Sequence, residues 1–188
     1  DKVLRFTMLL HDVAKPVCRT TDENWTDHFY GHPQKGSEMA RMILRRLKFD
    51  NDTTDRVSAL VRWHDDNPEL SPRSVRRAIS RIGLERYPAL FAVKRADTLA
   101  QSMYRREEKL KYLHDYEMLY QEVMEKQQCL TIKQLAVTGS DLIEAGMQPG
   151  KEIGSVLKKL LELVLEDPEL NTKEKLLKQV HNLRTPLI

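Results

Sequence analysis

Apolar residues recur at three- and four-residue spacing along most of the chain, and alternating β-branched runs are almost absent. This period predicts an all-α fold, with helices over about 2–14, 34–48, 52–65, 72–82, 84–102 and 104–127. Breakers such as Pro68, Pro72 and Gly83 separate them. From Cys129 the pattern changes to a short segment from Leu130 to Val137, a helix opened by Ser140 or Asp141, and the turn Gly146-Met147-Gln148-Pro149-Gly150. A helix from about Lys151 to Glu166 follows, stopped by Asp167-Pro168, and a last one begins near Thr172. The change places a domain boundary near residue 128, giving a helical bundle over 1–128 and a smaller helical subdomain over 129–188. The stretch from Pro16 to His32 shows no helical period, and a loop of that length inside a compact domain is often functional. The chain enters its first helical pattern within two residues of Asp1, as expected of a domain cut from a longer protein.

Composition narrows the classes. With 188 residues, 40% hydrophobic and 31% charged, the chain is expected to fold as a soluble globule. No apolar run approaches the roughly eighteen residues of a membrane span, and no signal peptide is visible, so a cytoplasmic location is expected. Cys18 and Cys129 stand alone, without a CxxC, so the sequence suggests neither a disulfide framework nor a thiolate zinc site. A net charge of +3 does not by itself argue for nucleic acid. The basic clusters around Arg45, Arg76 and Lys109 read first as solvated helix faces. Trp25, Trp63 and Tyr30 offer rings that can stack on bases, but packing in the core or loop is the preferred reading.

The chemistry lies in the polar residues that extend apolar stripes. Leu4 and Met8 lead to His11, Val57 and Leu60 to His64, and Leu90 and Val93 to Asp97. Three helices therefore aim a titratable group at the core, where such a group is costly unless paired, hydrogen-bonded or bound to a metal. One such residue is usually a satisfied core group; three, with the His11-Asp12 pair among them, favour a shared site. Imidazole and carboxylate without thiolate suit a divalent ion, whether Mg, Mn, Ni, Fe or Zn. Lys15, expected on the same helix face as His11, is placed to neutralise a phosphate oxygen. A metal lowers the pKa of bound water, so phosphoester hydrolysis is the reaction class expected, with a phosphate-containing substrate.

His11-Asp12 together with Lys94-Arg95-Ala96-Asp97 resembles the HD superfamily of metal-dependent phosphohydrolases. The resemblance implies an HD-type bundle with His11, Asp12 and Asp97 as metal ligands. It gives His32 and His64 the part of additional histidines, serving a second metal or the substrate phosphate beside Lys15. The family's first ligand is a histidine on the preceding helix, and none precedes His11 in this chain.

Leu10-His11-Asp12-Val13-Ala14-Lys15-Pro16, His28-Phe29-Tyr30-Gly31-His32 and the segment Val137 to Gly154 also resemble the C-terminal half of bacterial tRNA nucleotidyltransferases of the poly(A) polymerase family. That likeness implies tRNA as a partner of the parent protein. The paired aspartates of the nucleotide-adding head are not found, since Gly139-Ser140-Asp141 falls in the tail motif, so nucleotide addition is not expected of this chain. Candidate RNA contacts are Gly150 and Lys151, where a helix start offers free amides, and Arg76 and Arg77. A non-catalytic tRNA-binding body is the competing reading. A remnant whose histidines merely satisfy core hydrogen bonds is the third.

Overall fold

The computed structural model describes residues 1–126 and 128–184. The fold is all-α apart from one two-stranded ribbon. In order, the elements are α1 (Lys2–Leu10), α2 (Lys15–Cys18), β1 (Thr20–Thr21), β2 (Asp27–His28), α3 (His32–Arg46), α4 (Asn51–Trp63), α5 (Pro72–Ile82), α6 (Tyr87–Ala100) and α7 (Arg106–Glu125). The C-terminal set is α8 (Gly139–Glu144), α9 (Lys151–Glu166) and α10 (Lys173–Arg184). No described helix is long and apolar enough to cross a membrane. They form two compact units, one of Asp1–Pro68 with Ile82–Glu117, the other of Glu69–Arg81 with Met118–Ile188. These units interleave along the sequence, whereas the expected division was a single cut near residue 128.

In the first unit, α3 lies along α4, and α1 packs on α4 and α6. The close approach of α3 requires Gly36: a Cβ there would meet Val61 Cγ1 at 3.2 Å and the His11 carbonyl oxygen at 3.5 Å. Ala40, Leu44, Val57, Val61, Leu90 and Tyr87 form the core, where Tyr87 and Tyr116 share a hydrogen bond between hydroxyls at 2.8 Å. Asp50 caps α4 by accepting from the Thr53 amide, satisfying one of the first-turn donors that have no intrahelical partner.

The first helix is shorter than its period suggests. It ends at Leu10, and Val13 N–H and Lys15 N–H then donate to carbonyls three residues back, so the histidine-aspartate segment is a tightened turn. Its buried face is Val3, Thr7 and Leu10, not the expected Leu4 and Met8 stripe. The unperiodic stretch after Pro16 holds α2 and the antiparallel ribbon, with Thr20 opposite His28 and Thr21 opposite Asp27. Two-residue strands are too short for an alternating pattern to register.

The second unit has a different interior. Leu142, Leu160, Val164, Leu165, Leu176 and Val180 are buried with Val75 and Ile79. Thr138 and Asp141 cap α8 reciprocally, each side chain accepting from the other's backbone amide. Asn171 ties the loop before α10 to the segment before α8, accepting from Ala136 N–H at 2.8 Å and donating to the Gln134 carbonyl at 3.1 Å.

Candidate metal centre

Three histidines of the first unit repeat one local device. His11 Nδ1 donates to the Met8 carbonyl at 2.8 Å, His32 Nδ1 to the Phe29 carbonyl at 2.9 Å, and His64 Nδ1 to the Val61 carbonyl at 2.8 Å. His11 and His64 follow the last residues of α1 and α4, where carbonyls run out of helical amide partners, and His32 opens α3. Spending the Nδ1 proton on a carbonyl leaves each Nε2 with its lone pair outward, the tautomer a metal ligand needs.

Those lone pairs meet at Asp12. Its Oδ1 lies 3.5 Å from His32 Nε2 and 3.7 Å from His64 Nε2, and its Oδ2 lies 3.2 Å from His11 Nε2 and 2.7 Å from Lys15 Nζ. Asp97 Oδ1 approaches His11 Nε2 at 3.3 Å. His32 Nε2 and His64 Nε2 face each other at 3.3 Å, although both Nδ1 protons are already committed. Within the described residues, His11 Nε2 and Asp12 Oδ1 are buried without a hydrogen-bond partner. Acceptor facing acceptor in a buried place calls for a proton or a cation between them. Ligand atoms of Asp12, His32 and His64 lie within 4.8 Å of one another, spacing that suits one ion. The donor set, nitrogen and oxygen without sulfur, fits a divalent metal.

The five residues therefore come together, and in a particular grouping. His32 and His64, expected beside the metal as catalytic groups, take ligand spacing with Asp12, and His11 Nε2 lies between Asp12 Oδ2 at 3.2 Å and Asp97 Oδ1 at 3.3 Å. Lys15 and His11 approach the same oxygen, Asp12 Oδ2, at 2.7 and 3.2 Å, and the Lys15 ammonium lies 5.7 Å from the centre of the Phe29 ring.

Electrostatics follow the same grouping. The Asp97 carboxylate pushes the His11 pKa up against the opposing effect of burial, while burial pushes that of His64 down. His11, together with the Gln101 amide donating at 2.8 Å, holds the Asp97 carboxyl below its ordinary value. Lys94 is a group the sequence reading missed. Buried one turn before Asp97, its ammonium donates to the carbonyls of His64 at 2.9 Å and Asp66 at 2.6 Å and to Asn67 Oδ1 at 3.1 Å. Burial lowers its pKa to about 8. It continues the stripe of Leu90 and Val93, the one sequence signal that marked it. Beside these groups opens a cavity of about 470 Å³, lined by His64, Asp97, Lys94, Arg105, Lys109 and Tyr112 among others.

The expected RNA contacts lie elsewhere and divide. Arg76 is buried at 5% exposure, and it donates to the carbonyls of Leu165 and Glu166, each at 2.9 Å, and to Gln128 Oε1 at 3.3 Å. It closes the C-terminal end of α9, whose last carbonyls need donors, and does not face solvent as an RNA contact would. Arg77 is paired with Glu166 and stands 3.7 Å from Glu162. Gly150 and Lys151 are exposed at the start of α9.

Comparison with known proteins supplies the class. The family described as tRNA nucleotidyltransferase domain 2, putative, matches residues 18–180, and this chain belongs to it. The CC-adding tRNA nucleotidyltransferase of Thermus thermophilus is 34% identical over 175 residues, 90% of this chain and 37% of the relative. The A-adding tRNA nucleotidyltransferase of Deinococcus radiodurans is 30% identical over 169 residues, 86% of this chain and 37% of the relative. The multifunctional CCA protein of Legionella pneumophila (strain Paris) is 29% identical over 94 residues, 48% of this chain and 22% of that protein. The chain thus spans little more than a third of the curated relatives that cover most of it. No solved structure matches it.

Proposed function

We propose that this chain is the body of a tRNA nucleotidyltransferase, a part that holds tRNA while nucleotide addition belongs to a head this sequence does not contain. The observation that carries the reading is the family match across residues 18–180, with relatives named for adding C or A to tRNA. Exposed Lys151 and the exposed cations of α3, among them Arg45 and Arg46, are available to phosphates; Arg76 is not. The chain is expected to bind tRNA with an affinity that falls steeply with salt, as counterion release requires. Equilibrium binding of tRNA across a salt series tests this, and no binding at low salt overturns it.

A second reading concerns the first unit and is favoured by one specific observation: the Nε2 atoms of three histidines converge on the Asp12 carboxylate, and of these His11 Nε2 and Asp12 Oδ1 are buried without a hydrogen-bond partner among the described residues. On this reading the first unit is an HD-type phosphohydrolase module. Asp12 Oδ1, His32 and His64 would hold one divalent ion, with His11, Asp97 and Asp12 Oδ2 beside it. Such an ion, when bound, lowers the pKa of coordinated water and neutralises charge on a phosphoryl group. Of the chain's own residues, Lys15 bonds Asp12 Oδ2 and adds positive charge for a phosphate oxygen. Lys94 fixes the segment that follows His64. The adjoining cavity leaves room for the organic part of a phosphate ester. Hydrolysis of a phosphomonoester with added Mn²⁺ is expected, and His11→Ala or Asp97→Ala is expected to lower it at least a hundredfold. Equal turnover in both variants contradicts this reading.

A further inference from the structure

The ribbon between α2 and α3 presents large aromatic rings to solvent. Trp25 sits at its tip, 90% exposed, and Tyr30 follows its second strand, 78% exposed. Both are the reverse of the packing roles expected for them. Trp25 also has a φ of +60°, a left-handed conformation that glycine adopts freely and a tryptophan does not. A large ring held in water on a disfavoured backbone has no account in stability, and an observed backbone outlier of this kind is a reason to look for function.

The surroundings are built rather than loose. Asp22 Oδ1 accepts from the amides of Asn24 and Thr26, each at 2.9 Å, and the Trp25 amide donates to the Asp22 carbonyl at 3.1 Å, so the tip is a closed turn. Asp22 Oδ2 also holds His28 Nε2 at 3.0 Å. The His28 ring in turn lies against Tyr30, with centroids 5.2 Å apart and planes within 8° of parallel. The acidic groups of the ribbon are mostly engaged, Asp22 with His28 and Asp27 with Arg19 and Thr21. The flat pair therefore offers a π-face more than a charge.

Its position gives the face a meaning. Phe29, between His28 and Tyr30, supplies the carbonyl that accepts both the backbone amide and the Nδ1–H of His32. Tyr30 is two residues from His32, a separation that extended chain spans in at most about 7 Å. Bases held on the ribbon therefore bring the RNA backbone into the neighbourhood of His32.

We infer that the His28–Tyr30 stack and Trp25 form a nucleobase platform, on which bases of single-stranded RNA lie while an adjoining phosphate reaches the centre at Asp12, His32 and His64. The inference rests on reading that centre as one that takes a phosphate ester. Stacking suits this task because every base has a π-face, so the platform holds RNA without demanding a sequence.

The test is equilibrium binding of the full chain to hexaadenylate RNA at low salt, in chelator and again with Mn²⁺. Polyphosphate is the probe that carries charge without bases. Trp25→Gly removes the ring and suits the left-handed turn, so its melting temperature is expected to equal or exceed that of the parent. Tyr30→Ala removes one face of the stack, and Tyr30→Phe restores it. Trp25→Gly and Tyr30→Ala are each expected to weaken hexaadenylate binding about five- to a hundredfold, leaving polyphosphate binding unchanged and Tyr30→Phe like the parent. The same loss in chelator supports the platform even if Mn²⁺ proves irrelevant, which separates its fate from that of the metal reading. Hexaadenylate binding unaffected by either ring deletion overturns the platform and turns the exposed rings toward a protein partner. Equal loss of polyphosphate binding overturns it as well.

Discussion

The two compact units bury charge in opposite ways. In the second, Arg76 is enclosed among Val75, Ile79 and Leu165, and each of its three nitrogens finds an acceptor. In the first, His32 and His64 are enclosed to a similar degree, yet their ring nitrogens point at one another and at an aspartate oxygen that has no donor. A buried polar group that the fold itself satisfies is architecture; one left facing another acceptor is incomplete without something added. Lys94 sharpens the contrast within the first unit, since it too is satisfied and holds in place the segment behind His64.

The comparison can be broken first in the second unit. Leu160→Ala empties a fully buried position and is expected to cost about 2–5 kcal/mol in urea unfolding, with divalent-metal binding unchanged. Next, metal added at a hundred times its dissociation constant is expected to stabilise the parent chain by about 2.7 kcal/mol, the linkage value for one site. Asp12→Ala should gain nothing from the same metal, and an equal gain would mean that the ion binds elsewhere. Arg76→Met is expected to cost about 1–3 kcal/mol by stranding the carbonyls of Leu165 and Glu166. If tRNA binding falls in that variant while stability holds, the assignment of Arg76 to architecture is wrong.

The smallest effect is one of pH. Burial raises the Tyr112 hydroxyl to about 12 and raises Tyr116 further, against about 10 for an unfolded tyrosine. Between those values the unfolded chain has lost protons that the folded chain keeps, so the contribution is complete below about pH 10 and disappears as pH rises toward 12. Unfolding of the first unit, followed at pH 9 and pH 11, should show the decline, and Tyr112→Phe should reduce it.

Much of this was legible in sequence because helical periodicity is a local signal. Pro72–Ile82 and Lys151–Glu166 fall where the spacing places them, and the stripes of Val57 with Leu60 and Leu90 with Val93 are buried. The unread parts depend on tertiary context. The end of α1 at Leu10 is set by the turn that brings His11 and Asp12 against His64 and Asp97, and no propensity in Leu10 to Ala14 announces it. The ribbon adds side-chain contacts of Asp22 and Asp27 to its short backbone pairing and has strands too short for a period. Arg76 and the exposed arginines look alike in sequence, and only the position of the α9 carbonyls distinguishes them. Among the candidate site residues, the pairing of Asp12 with His32 and His64 rather than with His11 alone was not readable, since it joins three elements.

The most direct measurement of the central claim is elemental analysis of the purified chain after incubation with Mn²⁺ and removal of free ion, beside Asp12→Ala and His64→Ala. At least one ion per chain in the parent, with little or none in either variant that still folds by circular dichroism, is the predicted result. A parent chain that retains no ion, or variants that retain as much as the parent, would contradict it.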